Sequence, residues 1–325
     1  MDHYFNDRTN LSVSYALDDA EVTVPDAFNE KLTAAQTRCQ NVIINVQHVF
    51  TPAMLDTLRA GVTRTRAAGG SDIQPSTALL SDKSLGFVPG LPVGSFSVPG
   101  LASFGGIGDT GIDVIGYTAP QVYDDLVWTK GRHSLRFGGG VERIQDNINP
   151  SNIPNGQWQF GSIRDMLTVN PSQFTSDFPS TDAVRGMRSS IVGLYAQDDF
   201  RFRRNLTINF GARYEMSTVV IEVNGKVANL HSLSSAQPVL GNPYYQNPTL
   251  KNFAPRVGLA WDVFGDGKTA VRSGFGIFDI VPLPYLFFRF VRKNRGWIRA
   301  RAACQVSDRE RVRGSGTSGS RRIFS

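Results

Sequence analysis

Residues 205–215 alternate without a break: Leu206, Ile208, Phe210, Ala212 and Tyr214 interleave with Asn205, Thr207, Asn209, Gly211, Arg213 and Glu215. Successive side chains of a β-strand leave opposite faces, so this period of two makes one apolar and one polar face. The stretch before it has the same pattern. Val192, Leu194, Ala196 and Phe200 alternate with Gly193, Tyr195, Gln197, Asp199 and Arg201, and Phe202-Arg203-Arg204 forms a short connection. The pattern predicts a hairpin whose strands, about ten residues each, can cross a bilayer when tilted.

The unit recurs. Val42, Ile44, Val46, His48 and Phe50 lead through Thr51-Pro52-Ala53 into Leu58, Ala60 and Val62. Val122, Leu126 and Trp128 lead through Lys130-Gly131 into Leu135, Phe137, Gly139 and Val141. Val257, Leu259, Trp261 and Val263 lead through Gly265-Asp266-Gly267 into Val271, Phe275 and Ile277, and a partial hairpin runs from Tyr4-Phe5 through Asn6-Asp7-Arg8 to Leu11–Leu17. Ten strands follow. Between hairpins the connections are long, over 18–40, 67–118, 146–188 and 219–254. Tight turns on one edge and long loops on the other are the asymmetry of an up-and-down transmembrane β-barrel, turns periplasmic and loops extracellular. The fold expected is therefore an all-β antiparallel barrel fragment, open or incompletely closed. A soluble β-sandwich is the rival, although its loops do not sort by length this way. Segment 86–108 holds so many turn formers that it reads as a packed surface loop without regular structure.

Charge separates the chain into two parts. Residues 281–325 hold 11 Lys+Arg against 2 Asp+Glu, a net of +9, which leaves residues 1–280 at −3. The domain reading is a partial barrel over 1–279 and a basic, aperiodic tail over 280–325, disordered or the product of a frameshift. With the basicity confined to that tail, a nucleic-acid partner is not expected. No run approaches the ~18 apolar residues of a spanning helix, and Met1–Phe5 lacks the features of a signal peptide. Cys39 and Cys304 give no CxxC, zinc spacing or disulfide framework.

Nothing nominates an enzyme or a cofactor. His3, His48, His133 and His231 are scattered, with no HExxH, and there is no nucleophile elbow, P-loop or dinucleotide fingerprint. His48 and His133 fall near turns and read as interfacial. The doublets Asp18-Asp19, Asp124-Asp125 and Asp198-Asp199 cannot act as dyads, because neighbouring strand residues point to opposite faces. Asp125, Arg136, Asp199 and Arg213 are candidates to face a lumen. Trp128, Phe200, Tyr214 and Trp261 are candidates for aromatic girdles at the membrane interfaces. A two-residue turn at Lys130-Gly131 would set Asp125 opposite Arg136, Tyr123 opposite Gly138 and Leu126 opposite Leu135. In the 190–215 hairpin the faces agree only if the loop is odd, which would place Tyr195 over Gly211.

Three blocks carry a resemblance. They are Gly193-Leu194-Tyr195-Ala196-Gln197-Asp198-Asp199-Phe200-Arg201 with Leu206–Glu215, Asn252-Phe253-Ala254-Pro255-Arg256-Val257-Gly258 with Phe264–Thr269 and Arg272–Gly276, and Trp128–Gly138. With Asp2–Asp7 they resemble the barrel of Oar-like TonB-dependent outer-membrane receptors, over about residues 1–279. The resemblance implies import of a bulky nutrient through a plugged barrel, with energy relayed by TonB. Such barrels have roughly 22 strands, so ten strands amount to about half. The sequence shows no counterpart of the plug, the TonB-contact segment or a terminal aromatic strand. The expectation is a fragment, inactive alone, whose partners are outer-membrane lipid, an unknown nutrient, and a TonB complex reached only through missing parts. The alternative is a non-transporting surface or adhesion barrel.

Overall fold

The computed structural model describes residues 1–279 apart from 74–76, 108–112, 150–152, 154, 177–181, 183, 231, 233 and 244–248. The tail from 280, His231 and Cys304 therefore lie outside the described residues. Ten strands form one antiparallel meander: β1 (Asp2–Asn6), β2 (Thr9–Pro25), β3 (Lys31–Thr51), β4 (Met54–Ile73), β5 (Asp113–Lys130), β6 (His133–Asn149), β7 (Arg185–Arg203), β8 (Leu206–Ser217), β9 (Phe253–Asp262) and β10 (Ala270–Gly276). Each pairs with its neighbours in sequence, and the order runs from β1 to β10 without the two ends meeting. A short strand, Ile221–Glu222, also pairs with β7. The open all-β sheet expected from alternation is the one found.

The turns explain the register. Between β5 and β6 the pair Lys130↔His133 closes a two-residue loop of Gly131 and Arg132. Gly131 has φ +62 and Arg132 does not share that sign, as a turn with glycine in its first central position requires. The loop thus sits one residue later than the sequence suggested, and every pair moves by two. Asp125 faces Gly138 rather than Arg136, Tyr123 faces Gly140 rather than Gly138, and Leu126 faces Phe137 rather than Leu135. A shift of two leaves each side chain on its own face.

Three other hairpins need a correction of parity. The turn after β7 is Arg204-Asn205, closed by Arg203↔Leu206. Unbroken pairing would then set Phe202 against Thr207 and Phe200 against Asn209, mixing the two faces. A bulge between Arg201 and Arg203 skips Phe202, so that Arg201 meets Thr207 and Phe200 meets Ile208. The same device skips Phe5 between Tyr4 and Asn6, and Phe50 between Val49 and Thr51. As a result Tyr195 lies opposite Arg213 on β8, not over Gly211. Its ring instead covers Gly138 of β6, as Tyr123 covers Gly140 from the other side, and a side chain at either glycine would collide with the ring.

The hairpins are staggered. β3 runs three residues past its last partner on β2, β5 two past β4, and β7 three past β6, always toward the turns. At ~3.3 Å per residue and ~4.8 Å between strands, this drift makes the line of turns incline about 40° to the strand normal. That is the strand tilt of a membrane barrel.

At the opposite edge one expectation fails. Residues 18–40 are not a long loop: β2 and β3 run on to Pro25 and Lys31, joined by a tight turn over 26–30. The other three connections are long. Segment 86–108, expected to lack regular structure, contains Ser95–Ser97 and Phe104–Gly105, two strands of a four-stranded sheet completed by Gln157–Gln159 and Gln173–Thr175.

Candidate functional site

The register sorts every strand residue onto one of two faces, named here for Thr207 and Ile208. Asp125, Arg136, Asp199 and Arg213 all lie on the Thr207 face, on four adjacent strands. They do not form a single cluster. Asp125 pairs with Arg59, and the Tyr195 hydroxyl donates to its Oδ1 at 2.5 Å. Asp199 accepts from Asn209 at 2.6 Å and from Gln197 at 3.1 Å. Arg213 pairs with Glu215, while Arg136 sits across from Gln197 without an ion pair among the described residues. Tyr117 donates to Glu142 at 3.1 Å. Such a wall presents satisfied carboxylates and guanidinium groups to water, which suits a wet surface rather than a packed core.

Trp128, Phe200, Tyr214 and Trp261 all lie on the Ile208 face. The first two and Trp261 stand near the turns, whereas Tyr214 sits eight residues up β8, its ring 4.9 Å from that of Phe253. Sequence reasoning missed the bulge phenylalanines. His3 and Phe5 form an edge-to-face pair at 4.6 Å, His48 and Phe50 another at 4.6 Å, and Phe200 and Phe202 a third at 6.0 Å. A ring, any residue, then Phe, just before the turn, occurs at all three bulges, so the signal was present in the sequence. The polar groups of this border have partners. His48 Nδ1 lies 2.8 Å from Thr9 Oγ1, and His133 Nδ1 lies 2.6 Å from the buried Asp198, with the imidazole stacked on Phe200. Asp198 and Asp199 therefore serve opposite faces.

Toward the loops the two faces exchange character. On the Ile208 face the apolar run ends at Asp19, Arg38, Arg64, Arg66, Arg143 and Arg188, with Arg38 paired to Asp19 at 3.5 Å. On the Thr207 face the same height carries buried Ala67, Ala119, Ile144, Ile148 and Met187. Ten residues of β3 separate Arg38 from His48. At the tilt above they stand roughly 25 Å tall, the height of a barrel's apolar band. This exchange is why alternation stops being legible at residue 18.

The loops build on that rim. The strand Ser95–Ser97, from one long loop, pairs in parallel with Gln157–Gln159 from the next, around Phe87, Phe96, Phe104, Trp158 and Phe174. The 26–30 turn anchors this unit. Lys31 Nζ donates to Gly106 O at 3.2 Å, and the Gly105 N–H donates to Glu30 at 3.2 Å. Burial pulls the Lys31 amine below its ordinary range, against the opposing charges of Asp26 and Glu30. Glu222 clamps the third loop to β7, accepting from the N–H groups of Gly186, Asn224 and Lys226. Burial alone would raise its carboxyl, but those three donors and Arg185 outweigh it and hold it below the usual range.

The faces predict unequal costs. Phe210→Arg, placing a charge within the apolar band, is expected to destabilise the complete barrel by about 2–4 kcal/mol. Thr207→Arg should cost far less. Denaturant unfolding in bilayers measures both, and equal costs would remove the membrane assignment.

A family model described as an outer membrane beta barrel domain matches residues 1–300. A search of curated proteins found no match. Among solved structures the chain is similar to the outer membrane transporter YddB from Escherichia coli, at 10% identity and a TM-score of 0.46, over 85% of this chain and 30% of that one. It thus spans less than a third of that transporter's length. By the match across residues 1–300, the chain belongs to the outer membrane β-barrel domain family and resides in the outer membrane.

Proposed function

We propose that these ten strands are part of the wall of a TonB-dependent receptor that imports a bulky nutrient. The exchange of character between the two faces carries this reading: the Ile208 face is mainly apolar for the height of a bilayer, broken by Asp56, Asp124 and Asp198 toward the turns, while the Thr207 face is charged and hydrogen-bonded over the same span. In this reading Asp125, Arg136, Asp199 and Arg213 line the lumen, and Trp128, Phe200, Tyr214 and Trp261 stand at the lipid interfaces. The role is transport, not catalysis, and needs no cofactor. Energy reaches the barrel from the TonB complex through segments outside these residues. A wide lumen fits long side chains such as Arg59, Tyr123 and Arg136, which a narrow barrel would have to pack tightly.

The co-folded loop unit favours the second reading, a surface barrel that binds other cells or matrix without transport, because such a rigid unit can serve as a contact surface. Growth on a panel of bulky nutrients separates the two. Cells lacking the gene and cells lacking TonB are expected to fail on a shared nutrient. A gene deletion with no nutrient defect but lost adhesion would replace transport with the surface role.

A further inference from the structure

We infer that the Ile208 face carries a docking site, at Asp124 and the hollow beside it, for a second membrane protein that presents a lysine or arginine within the bilayer. Asp124 lies on this face of β5, between Leu58 of β4 and Gly139 of β6. It stands four residues above Trp128, which at the tilt above is about 10 Å into the apolar band. The residue is exposed, and among the described residues no hydrogen bond or ion pair reaches its carboxylate. The other two carboxylates in this part of the face differ. Asp198 is buried and bonded to His133, and Asp56 lies opposite His48 at the turn-side border. Of the three, Asp124 lies deepest and has no counter-charge. Between the girdle and the rim arginines, β3 to β7 place no lysine or arginine on this face. The rim arginine of β6, Arg143, is four residues beyond Gly139, about 13 Å along the strand.

An ionisable side chain at that depth is costly against hydrocarbon and is ordinarily paired. The surface next to it says with what. On the loop side of Asp124 the face is recessed into a hollow of about 430 Å³, lined by Val42, Ile44, Ala60, Val62, Val122 and Val141. At roughly 30 Å³ for each water-sized group, the hollow accepts one or two large apolar side chains. An apolar socket with a charge at its edge matches the anchor residues of a protein interface, where a packed side chain sits beside a desolvated ion pair. Lipid fills only half of this. An acyl chain could occupy the hollow, but its headgroup stays at the border, about 10 Å from Asp124, so no lipid amine meets the carboxylate. A second copy docked through the same patch would bring acid toward acid, because a two-fold contact uses one surface twice. Charge complementarity therefore selects a different protein, with a bulky apolar residue and a base side by side within its membrane-spanning part.

The proposal rests on the reading of the Ile208 face as lipid-facing, and the test separates the two. The complete protein carries the photocrosslinker p-benzoylphenylalanine at Val62 or, outside the hollow on β8, at Ala212, and is irradiated in native outer membranes. Val62 is expected to give a discrete protein adduct and Ala212 lipid adducts only. Asp124→Asn should reduce the Val62 adduct at least about tenfold, and Asp124→Lys should abolish it. Peptide mapping should place a lysine or arginine within the partner's membrane-spanning part. Replacing that residue by Asp should restore the adduct in the Asp124→Lys background. Purified without the partner, the Asp124→Asn protein should match or exceed the thermal stability of the parent, which separates a lost contact from a lost barrel. Lipid adducts alone at Val62, an adduct only to a second copy, indifference to Asp124→Asn, or no rescue by the exchange of charges would each overturn the site. In parallel, Ala212→Cys should resist a water-soluble maleimide in intact membranes and Arg66→Cys should react. If both react, the lipid-facing reading fails. If only Arg66→Cys reacts and Val62 yields no protein adduct, the docking site alone fails.

Discussion

Deleting Ala212 is expected to abolish outer-membrane assembly of the complete protein, whereas deleting Phe202 is expected to leave assembly intact. Both remove one residue from the same hairpin, and the difference lies in parity. Ala212 sits in the middle of β8, paired to Ala196 of β7 and Pro255 of β9. Without it, one half of β8 must exchange faces relative to both neighbours. Either Arg213 and Glu215 turn toward lipid, or Thr207 and Asn209 turn outward while Ile208 and Phe210 turn in. Each charge so placed costs up to about 2–4 kcal/mol near the midplane, and several side chains are misplaced together. Two compensating bulges, one in each neighbouring strand, would be needed to avoid this. Phe202 is already outside the ladder. Its removal leaves Arg203↔Leu206 followed directly by Arg201↔Thr207, a regular hairpin with both faces correct. The loss is one interfacial ring. Heat-modifiable mobility and surface exposure of the two deletion variants measure the contrast, and equal behaviour would show that the bulge does not set the register.

Much of this was legible from period and turn chemistry. The alternation at 192–215 identifies the strands and their faces because a strand that separates lipid from water must obey it along its whole buried length. Placing a turn to the residue is harder. Lys130-Gly131 and Gly131-Arg132 are both plausible loops, and only the preference for glycine in the first central position decides between them. The bulges were missed for a different reason: Phe5 and Phe50 look like ordinary strand residues and Phe202 like part of the connection, and although the ring-x-Phe spacing is there to be read, exclusion from the ladder follows from pairing with the next strand. At Asp18-Asp19 the apolar face becomes wet and the alternation changes phase, which reads as the end of a strand although β2 continues to Pro25. The loop sheet was beyond reach, since Ser95–Ser97 and Gln157–Gln159 come together across 62 residues by backbone pairing that leaves no periodic trace. Among the site candidates, faces could be read but partners could not. That Asp125 holds Arg59 and Tyr195 depends on the registers of four strands, β4 to β7, at once.

Residues 1–279 expressed by themselves are expected to form no closed barrel and to transport nothing. Among the described residues, β1 and β10 each present one edge without a partner strand. In a bilayer every unsatisfied N–H or C=O group costs several kcal/mol, so two open edges outweigh what the apolar band contributes by leaving water. Joining β10 to β1 would remove the edges but create a second conflict. Ten strands tilted by about 40° close to a backbone radius of roughly 10 Å. Arg59, Tyr117, Tyr123, Arg136, Tyr195 and Arg213 would then have to fill a narrow interior, with the Arg59–Asp125 and Arg213–Glu215 pairs stripped of water. Desolvation of such pairs can exceed their mutual attraction. In buffer the alternative is exposure of the apolar face and pairing of the free edges with other copies, which leads to aggregation. Folding of the purified segment in detergent, followed by gel mobility with and without heating and by protease digestion, tests this. The complete barrel is expected to show a heat-modifiable, protease-resistant band and the segment neither. A resistant, heat-modifiable band from the segment alone would mean that ten strands suffice to close, and that the Thr207 face packs as the interior of a small barrel.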